Sequence, residues 1–356
     1  MRRFCFVTFI VIATVAIIAL AQPVPATGPY KVVKTAKVGG DGGFDYVYAD
    51  VDGRRLYVPR TGAANARVSV YNLDTQEPVG EIPKTNARGA AVDPKSGHGF
   101  ASSNPVAMWD TKTLTLIKTI DVQGGPDGIL FDSFNQRVWI FSHRAPNATI
   151  IDTKDGSVVG TLDLGGAPEQ AVTDGNGHMY VDLEDMDKIA VVDTKALKVT
   201  GTYALEGKGG GPGGLAFDVK NHVLFASCHQ PATMVILNSD TGKILDALPI
   251  GQGTDGATFN PNTLEAFSSN SDGTLTVIKE NSPTSFVVEQ NVPTMRGAKT
   301  LTMDTKTNRV LLIAAEYGPP PAPPADAPPP DATKKGGRGP RAPMLPDSFS
   351  IVVVGK

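Results

Sequence analysis

Cysteine is nearly absent from this chain, and its scarcity excludes one class of exported protein. Only Cys5 and Cys228 occur among the 356 residues. Cys5 lies in an N-terminal apolar run with the features of a cleavable leader, so the mature chain would keep Cys228 alone. No intrachain disulfide could then form, which excludes a small disulfide-stapled scaffold. The sequence instead predicts a core large enough to hold the fold without such links.

A surplus of positive charge is also missing. The 33 lysines and arginines are outnumbered by 36 aspartates and glutamates, for a formal net charge of −3. Because binding to polyanions requires a basic surface, we expect no nucleic-acid partner. Charged residues make up only 19% and aromatic residues 7% of the chain, whereas 38 glycines and 28 prolines are present. This mixture is typical of an all-β protein with many turns.

The N-terminus carries the pattern of a secretory signal peptide. Arg2 and Arg3 provide a short positive segment, residues 4–20 are almost unbroken apolar sequence, and residues 19–21 fit the small-x-small rule for cleavage. An uncleaved membrane anchor is the alternative, because the apolar run is nearly long enough to span a bilayer. We expect a signal peptide at 1–21, a short linker at 22–29, and a periplasmic or extracellular protein without membrane association after cleavage.

One unit of about 42 residues recurs along the rest of the chain. A short apolar strand ends each time in Asp or Asn, a second strand follows about six residues later, and a third often ends in Asp-Thr, as at Asp74-Thr75. Four short strands per unit at this period predict the blade of a β-propeller. The seven Asp or Asn anchors are Asp50, Asp93, Asp132, Asp174, Asp218, Asn260 and Asp304.

Seven anchors predict an all-β, seven-bladed β-propeller with four antiparallel strands per blade over residues 30–356. Residues 30–38 resemble a fourth strand but precede the first anchor, and the last unit stops at its third strand, residues 348–354. We therefore expect the N-terminal strand to pair with the C-terminal blade and close the ring. The Pro/Gly-rich residues 318–346 cannot bury apolar area, and they are predicted to be a solvated insertion in that last blade.

The repeat also carries a family resemblance. Its second strand includes Tyr57-Val58 and Tyr180-Val181, and Gly/Pro-rich segments at 125–129 and 211–215 lead into first strands. In these features and in the repeated hydrophobic-Asp-Thr, the chain resembles the YVTN family of β-propeller repeat proteins. The resemblance covers about residues 30–356 and implies export and a seven-bladed ring. It carries no shared catalytic motif, so it leaves the function open.

Propellers generally bind ligands at one end of the central channel, through loops that join strand four to strand one and strand two to strand three. Aligning the repeats places charged side chains from these loops around a funnel of mixed charge. The arginines could grip carboxylates or phosphates of a ligand; alternatively, the charges pair with one another as a solvated rim and contribute little. The residues predicted at the channel mouth are Asp45, Arg60, Arg88, Asp127, His143, Arg144, Glu169, Glu184, His229, Asp255 and Lys299.

Two of these residues, His143 and His229, are candidates for metal ligation. They occupy matching positions in blades three and five, and with nearby carboxylates they could hold Zn, Fe or Mn. The sequence lacks the H-E-x-x-H spacing that would identify such a site, so no cofactor is predicted and a divalent metal stays open. His98, His178 and His222 fall in turns on the opposite face, and we expect them to be solvated there.

Two hypotheses about function follow. A regular propeller without a nucleophile elbow, a P-loop or a haem-attachment motif favours an exported, non-enzymatic binding or scaffold protein. Its ligand would be a polar small molecule, a peptide or a partner protein at the channel mouth, and we expect a monomer. The alternative is a metal-dependent hydrolase or lactonase-type enzyme with its site at the same mouth, which the histidines and their neighbouring acids favour.

Overall fold

Strands make up nearly all of the regular structure in the computed structural model, which describes residues 27–62, 64–145, 147–319 and 342–356. The predicted leader at 1–21, most of the linker at 22–29 and the greater part of the insertion at 318–346 therefore lie outside the described residues. No helix within the described ranges is long and apolar enough to cross a bilayer. The single helical element among them is a 3-10 turn at Glu184–Met186.

The order of the strands follows the repeat along the chain. The strands are β1 (Lys31–Lys37), β2 (Tyr48–Asp50), β3 (Arg55–Arg60), β4 (Arg67–Asn72), β5 (Pro78–Pro83), β6 (Ala90–Asp93), β7 (His98–Ala101), β8 (Val106–Asp110), β9 (Leu116–Ile120), β10 (Pro126–Asp132), β11 (Arg137–Ser142), β12 (Ala148–Asp152), β13 (Val158–Leu162), β14 (Pro168–Thr173), β15 (His178–Leu183), β16 (Lys188–Asp193), β17 (Lys198–Ala204), β18 (Pro212–Asp218), β19 (Val223–Cys228), β20 (Thr233–Asn238), β21 (Ile244–Pro249), β22 (Thr254–Asn260), β23 (Glu265–Asn270), β24 (Thr274–Ser282), β25 (Ser285–Pro293), β26 (Thr300–Asp304), β27 (Arg309–Ala314) and β28 (Ser350–Gly355).

Each blade is a sheet of four antiparallel strands. Six blades use four consecutive strands, from β2–β5 to β22–β25, and the seventh has the order β1-β28-β27-β26. Its outermost pair runs from Lys31 opposite Gly355 to Lys37 opposite Ser350. The predicted seven-bladed propeller is thus confirmed, and so is the closure of its last blade by the N-terminal strand.

The repeated acids shape the turns, as their positions in the repeat indicate. An oxygen of Asp50 accepts a hydrogen bond from the backbone N–H of Gly53, at 2.8 Å. Asp93 does the same for Lys95, at 2.8 Å. Such side-chain bonds replace the sheet partners that the backbone loses where a strand ends. These carboxylates therefore serve the architecture of the blades and are not free to bind a ligand.

The hydrophobic core is divided among the interfaces between neighbouring blades. The second and third strands of each blade are largely buried, whereas the fourth is less buried, as the contrast between β3 and β5 shows. Seven clusters of buried side chains each join two adjacent blades; the one between blades one and two contains Tyr57 and Trp109. Packing every sheet face on a neighbour removes the apolar surface that a single blade would expose.

The two ends of the described chain meet at one buried carboxylate. Tyr30, just before β1, is 3% exposed and packs edge-on against Phe267 of blade six. Its hydroxyl donates a short hydrogen bond to Glu265, and Lys356 forms an ion pair with the same carboxylate at 2.9 Å. The N-terminal segment therefore fastens blade seven to blade six as well as completing it.

The chain leaves the last blade between its second and third strands, β27 and β28, on either side of the segment predicted as an insertion. The two ends of this segment are held together by a bridge between Tyr317 and Met344, and the N–H of Gly318 donates to the carbonyl of Pro343 at 2.9 Å. Residues 320–341 lie outside the described residues, so their predicted solvation stays a prediction.

Candidate ligand site at the channel mouth

The loops predicted to form the site converge on one cavity of about 1020 Å³ at the end of the channel. All seven blades contribute, because each innermost strand begins at this end of the ring. Hydroxyl and amide side chains fill the spaces between the charged ones, among them Ser103 and Asn104. Nine of the eleven predicted residues line the cavity: Asp45, Arg88, Asp127, His143, Glu169, Glu184, His229, Asp255 and Lys299.

Arg60 does not line the cavity, so the prediction that it lies at the channel mouth is wrong. The side chain is fully buried, with its guanidinium 3.5 Å from the ring centre of Phe349, and it donates hydrogen bonds to the carbonyls of Gly39 and Gly40, both at 3.2 Å. Burial lowers its pKa to about 10. Successive residues of a strand point to opposite faces, so the next residue, Thr61, lines the cavity instead.

Arg144 is the second predicted residue that the structure places elsewhere. It follows His143 directly and is exposed, but it is not among the residues that line the cavity. Its backbone N–H donates to the hydroxyl of Ser142, at 3.1 Å, in the turn that carries His143 into the mouth. Arg144 therefore belongs to the supporting loop.

The two permanent cations of the mouth are already paired with carboxylates. Arg88 contacts Asp45 at 2.7 Å through Nη1 and approaches Asp127 at 3.6 Å through Nε. Lys299 donates a short hydrogen bond to Asp255. The funnel of mixed charge is therefore present, and its charges pair with one another as one of the two sequence interpretations anticipated. A ligand would have to exchange these partners for its own polar groups.

One cluster at the mouth brings a histidine between two acids. Nε2 of His143 lies 2.9 Å from Oε2 of Glu169 and 3.7 Å from Oδ2 of Asp127. The three potential ligand atoms all lie within 4.8 Å of one another. No other group of three or more His, Cys, Asp or Glu meets this spacing in the described parts of the chain.

The environment of this cluster shifts the acidity of its members. Burial raises the pKa of Asp127 to about 7, with Arg88 opposing the shift and the charges of Glu169 and Asp45 adding to it. The hydrogen bond to Glu169 raises the pKa of His143 to about 9. Burial would raise the pKa of Glu169 as well, but hydrogen bonds from His143 and Tyr46 outweigh it and keep that pKa below its ordinary value. At neutral pH the cluster therefore holds an imidazolium beside a carboxylate.

A second carboxylate of the mouth is equally constrained. Burial raises the pKa of Asp255 to about 7, although the ammonium group of Lys299 opposes the shift. Burial alone would lower the pKa of Lys299, but the charges of Asp255 and Asp45 outweigh it and raise that pKa. Desolvated, mutually dependent charges of this kind are typical of binding and catalytic sites, and also of structural ion pairs.

His229 lies apart from this cluster. Its nearest acid is Glu184, with 3.9 Å between Nε2 and Oε1, and Glu184 begins the 3-10 turn of blade four. The pair lines the same cavity, so it is placed to contact a ligand there. Of the two histidines that the sequence offers for a metal, only His143 has two carboxylates within ligand spacing.

The histidines predicted in turns lie outside the mouth. His178 bonds to Asp174 at 2.8 Å, and His222 bonds to Asp240 at 2.9 Å. Both imidazoles are more than half exposed and line a separate cleft between blades four and five.

Two residues of the channel were missed by the sequence interpretation. The hydroxyl of Tyr46 lies 2.9 Å from Oε1 of Glu169 and donates to it across the ring. Gln170 accepts hydrogen bonds from the N–H groups of Leu215 and Ala257 and donates to the carbonyl of Ala257, so it links blades four, five and six below the mouth. In the sequence they could have been found as large polar or aromatic residues that directly follow a predicted mouth residue: Tyr46 follows Asp45, and Gln170 follows Glu169.

Comparison with known proteins supports the class of fold. No family model matches the chain, and no curated protein matches it. Among solved structures, a propeller chain in the crystal structure of a mitotic checkpoint complex is similar, with a TM-score of 0.67 and 10% sequence identity. The match covers 86% of this chain and 95% of that one. At such low identity the likeness shows a shared β-propeller fold and says nothing about function.

Proposed function

We propose that this protein is a non-enzymatic binding protein whose ligand enters the channel mouth. The ligand is a polar small molecule, or the polar end of a peptide or partner protein. One observation carries the proposal: ionisable side chains from all seven blades line a single cavity of about 1020 Å³. A cavity of this order accommodates a small molecule, and a propeller is commonly a binding or scaffold fold.

The charges of the mouth favour a ligand that brings positive charge. The carboxylates on the innermost strands that line the cavity outnumber its permanent cations, Arg88 and Lys299. Both cations already have acidic partners. Two of the carboxylates, Asp127 and Asp255, are largely desolvated, so they gain more from a cationic group than exposed acids would. An amine, a guanidinium group or a metal ion has the required charge.

Export and the monomeric state are part of the proposal. The leader pattern at residues 1–21 supports export, and the YVTN-type repeat is consistent with a secreted propeller. Mass spectrometry of the protein from the producing cells tests the first point, since cleavage leaves a chain that begins at Gln22. Light scattering on the purified protein tests the second, and a stable dimer would contradict it.

A ligand screen tests the proposed function. The purified protein is heated with amines, amino acids, short peptides, organic acids and sugars, and each compound that raises the melting temperature is followed by calorimetry. We expect His229→Ala to weaken such a ligand about tenfold, because His229 lines the mouth. His222→Ala is the matched control, since it removes an imidazole of the same blade on the opposite face. Binding that is equal in both variants, or no binding by any compound, contradicts the proposal.

A metal-dependent hydrolase or lactonase is the second candidate function. The cluster of Asp127, His143 and Glu169 favours it, because a metal there would open onto a cavity large enough for a substrate. Lactone and ester hydrolysis by protein supplied with Zn²⁺ or Mn²⁺ is the test, with His143→Ala as the control. Hydrolysis that disappears in this variant would support an enzyme, and no hydrolysis across the series would reject it.

A further inference from the structure

We propose that Asp127, His143 and Glu169 bind one divalent transition-metal cation, with Zn²⁺ preferred over Mn²⁺. The inference deepens the proposed function, because the cation would lie in the cavity that receives the ligand. The cation would be the positively charged group that the acidic side chains of the mouth favour. Four features of the site support a metal there: the ligand spacing, an unsatisfied buried oxygen, the groups that hold the ligands in place and the charge.

The spacing of the three side chains suits a single ion. Donor atoms about 2.1 Å from a tetrahedral metal lie about 3.4 Å apart. Here the distances from Nε2 of His143 are 2.9 Å to Oε2 of Glu169 and 3.7 Å to Oδ2 of Asp127. The ligand atoms of the two acids also lie within 4.8 Å of each other, so a bound metal would have to draw the three side chains closer together by rotation.

A buried, unsatisfied oxygen provides the second observation. Asp127 is 9% exposed, and its Oδ1 accepts no hydrogen bond from any described residue. The nearest cation is Nε of Arg88, at 3.6 Å, and that side chain donates its hydrogen bond to Asp45 instead. A desolvated carboxylate with one oxygen lacking a donor is costly, and a cation held by this carboxylate, through Oδ2 or through both oxygens, would offset that cost.

The ligands are held in place by neighbouring blades. Tyr46 donates to Oε1 of Glu169 and so leaves Oε2 facing His143. Gly128 lies directly after Asp127, where a Cβ atom would come within 2.6 Å of the carbonyl oxygen of Glu169. Glycine therefore allows blades three and four to approach closely enough to bring their acids together. Outer groups that orient a carboxylate in this way are typical of metal sites.

Charge and donor type select the class of metal. When His143 is neutral and all three acids are ionised, Asp45, Asp127 and Glu169 together with Arg88 carry a net charge of −2, which a divalent cation would neutralise. One imidazole nitrogen with two carboxylate oxygens suits Zn²⁺ or Mn²⁺ better than Ca²⁺ or Mg²⁺, which prefer oxygen ligands alone. Three protein ligands leave coordination positions that face the cavity, where water or a donor atom of the ligand can bind.

Calorimetric titration of the metal-free protein tests the site. The full chain is stripped with chelator and titrated separately with Zn²⁺, Mn²⁺, Ca²⁺ and Mg²⁺. We expect one equivalent of Zn²⁺ to bind most tightly, followed by Mn²⁺. His143→Ala and Asp127→Asn should each weaken Zn²⁺ by more than about 100-fold. His178→Ala is the matched control and should bind normally, because His178 pairs with a carboxylate at 2.8 Å but has no third ligand.

A spectroscopic measurement covers the case in which a variant folds poorly. Co²⁺ bound to the unmodified protein should give the visible absorption of a four- or five-coordinate ion, and Zn²⁺ should displace it. Absence of stoichiometric binding to the unmodified protein overturns the inference, as does unchanged Zn²⁺ affinity in a folded His143→Ala variant. If the metal-free protein binds small ligands but no metal, only the metal site fails. If it binds metal but no compound of the screen, only the proposed ligand function fails.

Discussion

The hydroxyl of Tyr46 lies 2.9 Å from Oε1 of Glu169 and also 2.9 Å from the backbone oxygen of that residue. Tyr46 precedes the first strand of blade one, whereas Glu169 lies on the first strand of blade four, so the contact joins blades that are not neighbours. Burial and the charge of Glu169 raise the pKa of Tyr46 well above its ordinary value. The phenol therefore stays protonated and remains a hydrogen-bond donor to the carboxylate throughout the physiological pH range.

The first prediction concerns this hydrogen bond. Tyr46→Phe keeps the ring but removes the donor, so Glu169 loses its fixed orientation. We expect Zn²⁺ affinity to fall by about 10- to 100-fold and the free energy of unfolding to fall by about 1 kcal/mol. Tyr203→Phe is the control, because it removes a hydroxyl that donates to the carbonyl of Ser239 far from the mouth. Calorimetry that finds equal Zn²⁺ affinity in the two variants would argue against a positioning role for Tyr46.

The fold could be predicted from the sequence because its unit repeats. Anchors such as Asp50 and Asp93 mark the same turn in every blade, and turn chemistry of this kind is local. The last unit lacks a fourth strand of its own, and residues 30–38 were the obvious segment to supply it. In the structure β1 occupies that place. Period and turn chemistry thus define the number of blades and their closure.

The site was less predictable, because single-residue shifts decide which side chain faces the channel. The innermost strands contain register shifts, between Pro126 and Ile129 in blade three and between Thr254 and Ala257 in blade six. Such bulges redirect side chains, and repeat spacing does not reveal them. Arg60 was wrongly predicted at the mouth because side chains along a strand alternate between its two faces. The residue that lines the cavity is the next one, Thr61. The contact of Tyr46 crosses the ring, whereas a repeat describes only relations within and between adjacent units.

The second prediction concerns the closure of the ring. Tyr30→Ala removes a buried ring from the interface of blades six and seven and deprives Glu265 of a donor. We expect the free energy of unfolding to fall by about 3–5 kcal/mol. Val32→Ala is the control, since Val32 is 37% exposed on the same segment and should change stability by less than about 0.5 kcal/mol. Equal urea denaturation midpoints for the two variants would contradict a fastening role for Tyr30.

The third prediction concerns the ion pair that joins blades one and seven. Arg54 contacts both oxygens of Asp304, at 2.8 and 2.7 Å, and Asp304 is 2% exposed. Arg54→Met leaves this buried acid without its cation, with only Thr307 and the N–H of Lys306 still donating to it, which should cost up to about 3–5 kcal/mol at pH 7. Lys306→Met is the control, because Lys306 forms an exposed pair with Asp52 between the same blades, and loss of an exposed pair costs at most about 1 kcal/mol.

The pH dependence of the Arg54 variant follows from the state of Asp304. Burial would raise the pKa of Asp304, but the hydrogen bonds from Arg54 and Thr307 outweigh it and lower that pKa below 3.8. A carboxyl group whose pKa is lower in the folded protein than in the unfolded chain stabilises the fold at pH values above its unfolded pKa. This stabilisation is lost as the pH falls through the folded pKa. We therefore expect the difference between the unmodified protein and Arg54→Met to shrink below about pH 4. Urea titrations that show a constant difference from pH 7 to pH 3 would exclude Asp304 as its source.

The last prediction concerns Glu280, a buried acid on β24 of blade six. Oε1 accepts a hydrogen bond from Nδ2 of Asn221 at 2.7 Å, whereas Oε2 has no partner among the described residues. Burial raises the pKa of Glu280 from 4.5 to about 7, and the charge of Asp218 adds to the shift. The folded protein thus binds this proton more tightly than the unfolded chain, so stability should fall as the pH rises from about 4.5 to about 7.

Replacing this acid with an amide should remove that loss. Glu280→Gln keeps the shape and the acceptor for Asn221 but cannot ionise, so its advantage over the unmodified protein should grow from pH 5 to pH 8 by up to about 3 kcal/mol. Glu77→Gln, at an exposed position, should show no such trend. Urea denaturation of the three proteins at both pH values decides the matter. If the unmodified protein and Glu280→Gln differ equally at pH 5 and pH 8, Glu280 has the same pKa in the folded protein as in the unfolded chain, and its burial carries no pH-dependent cost.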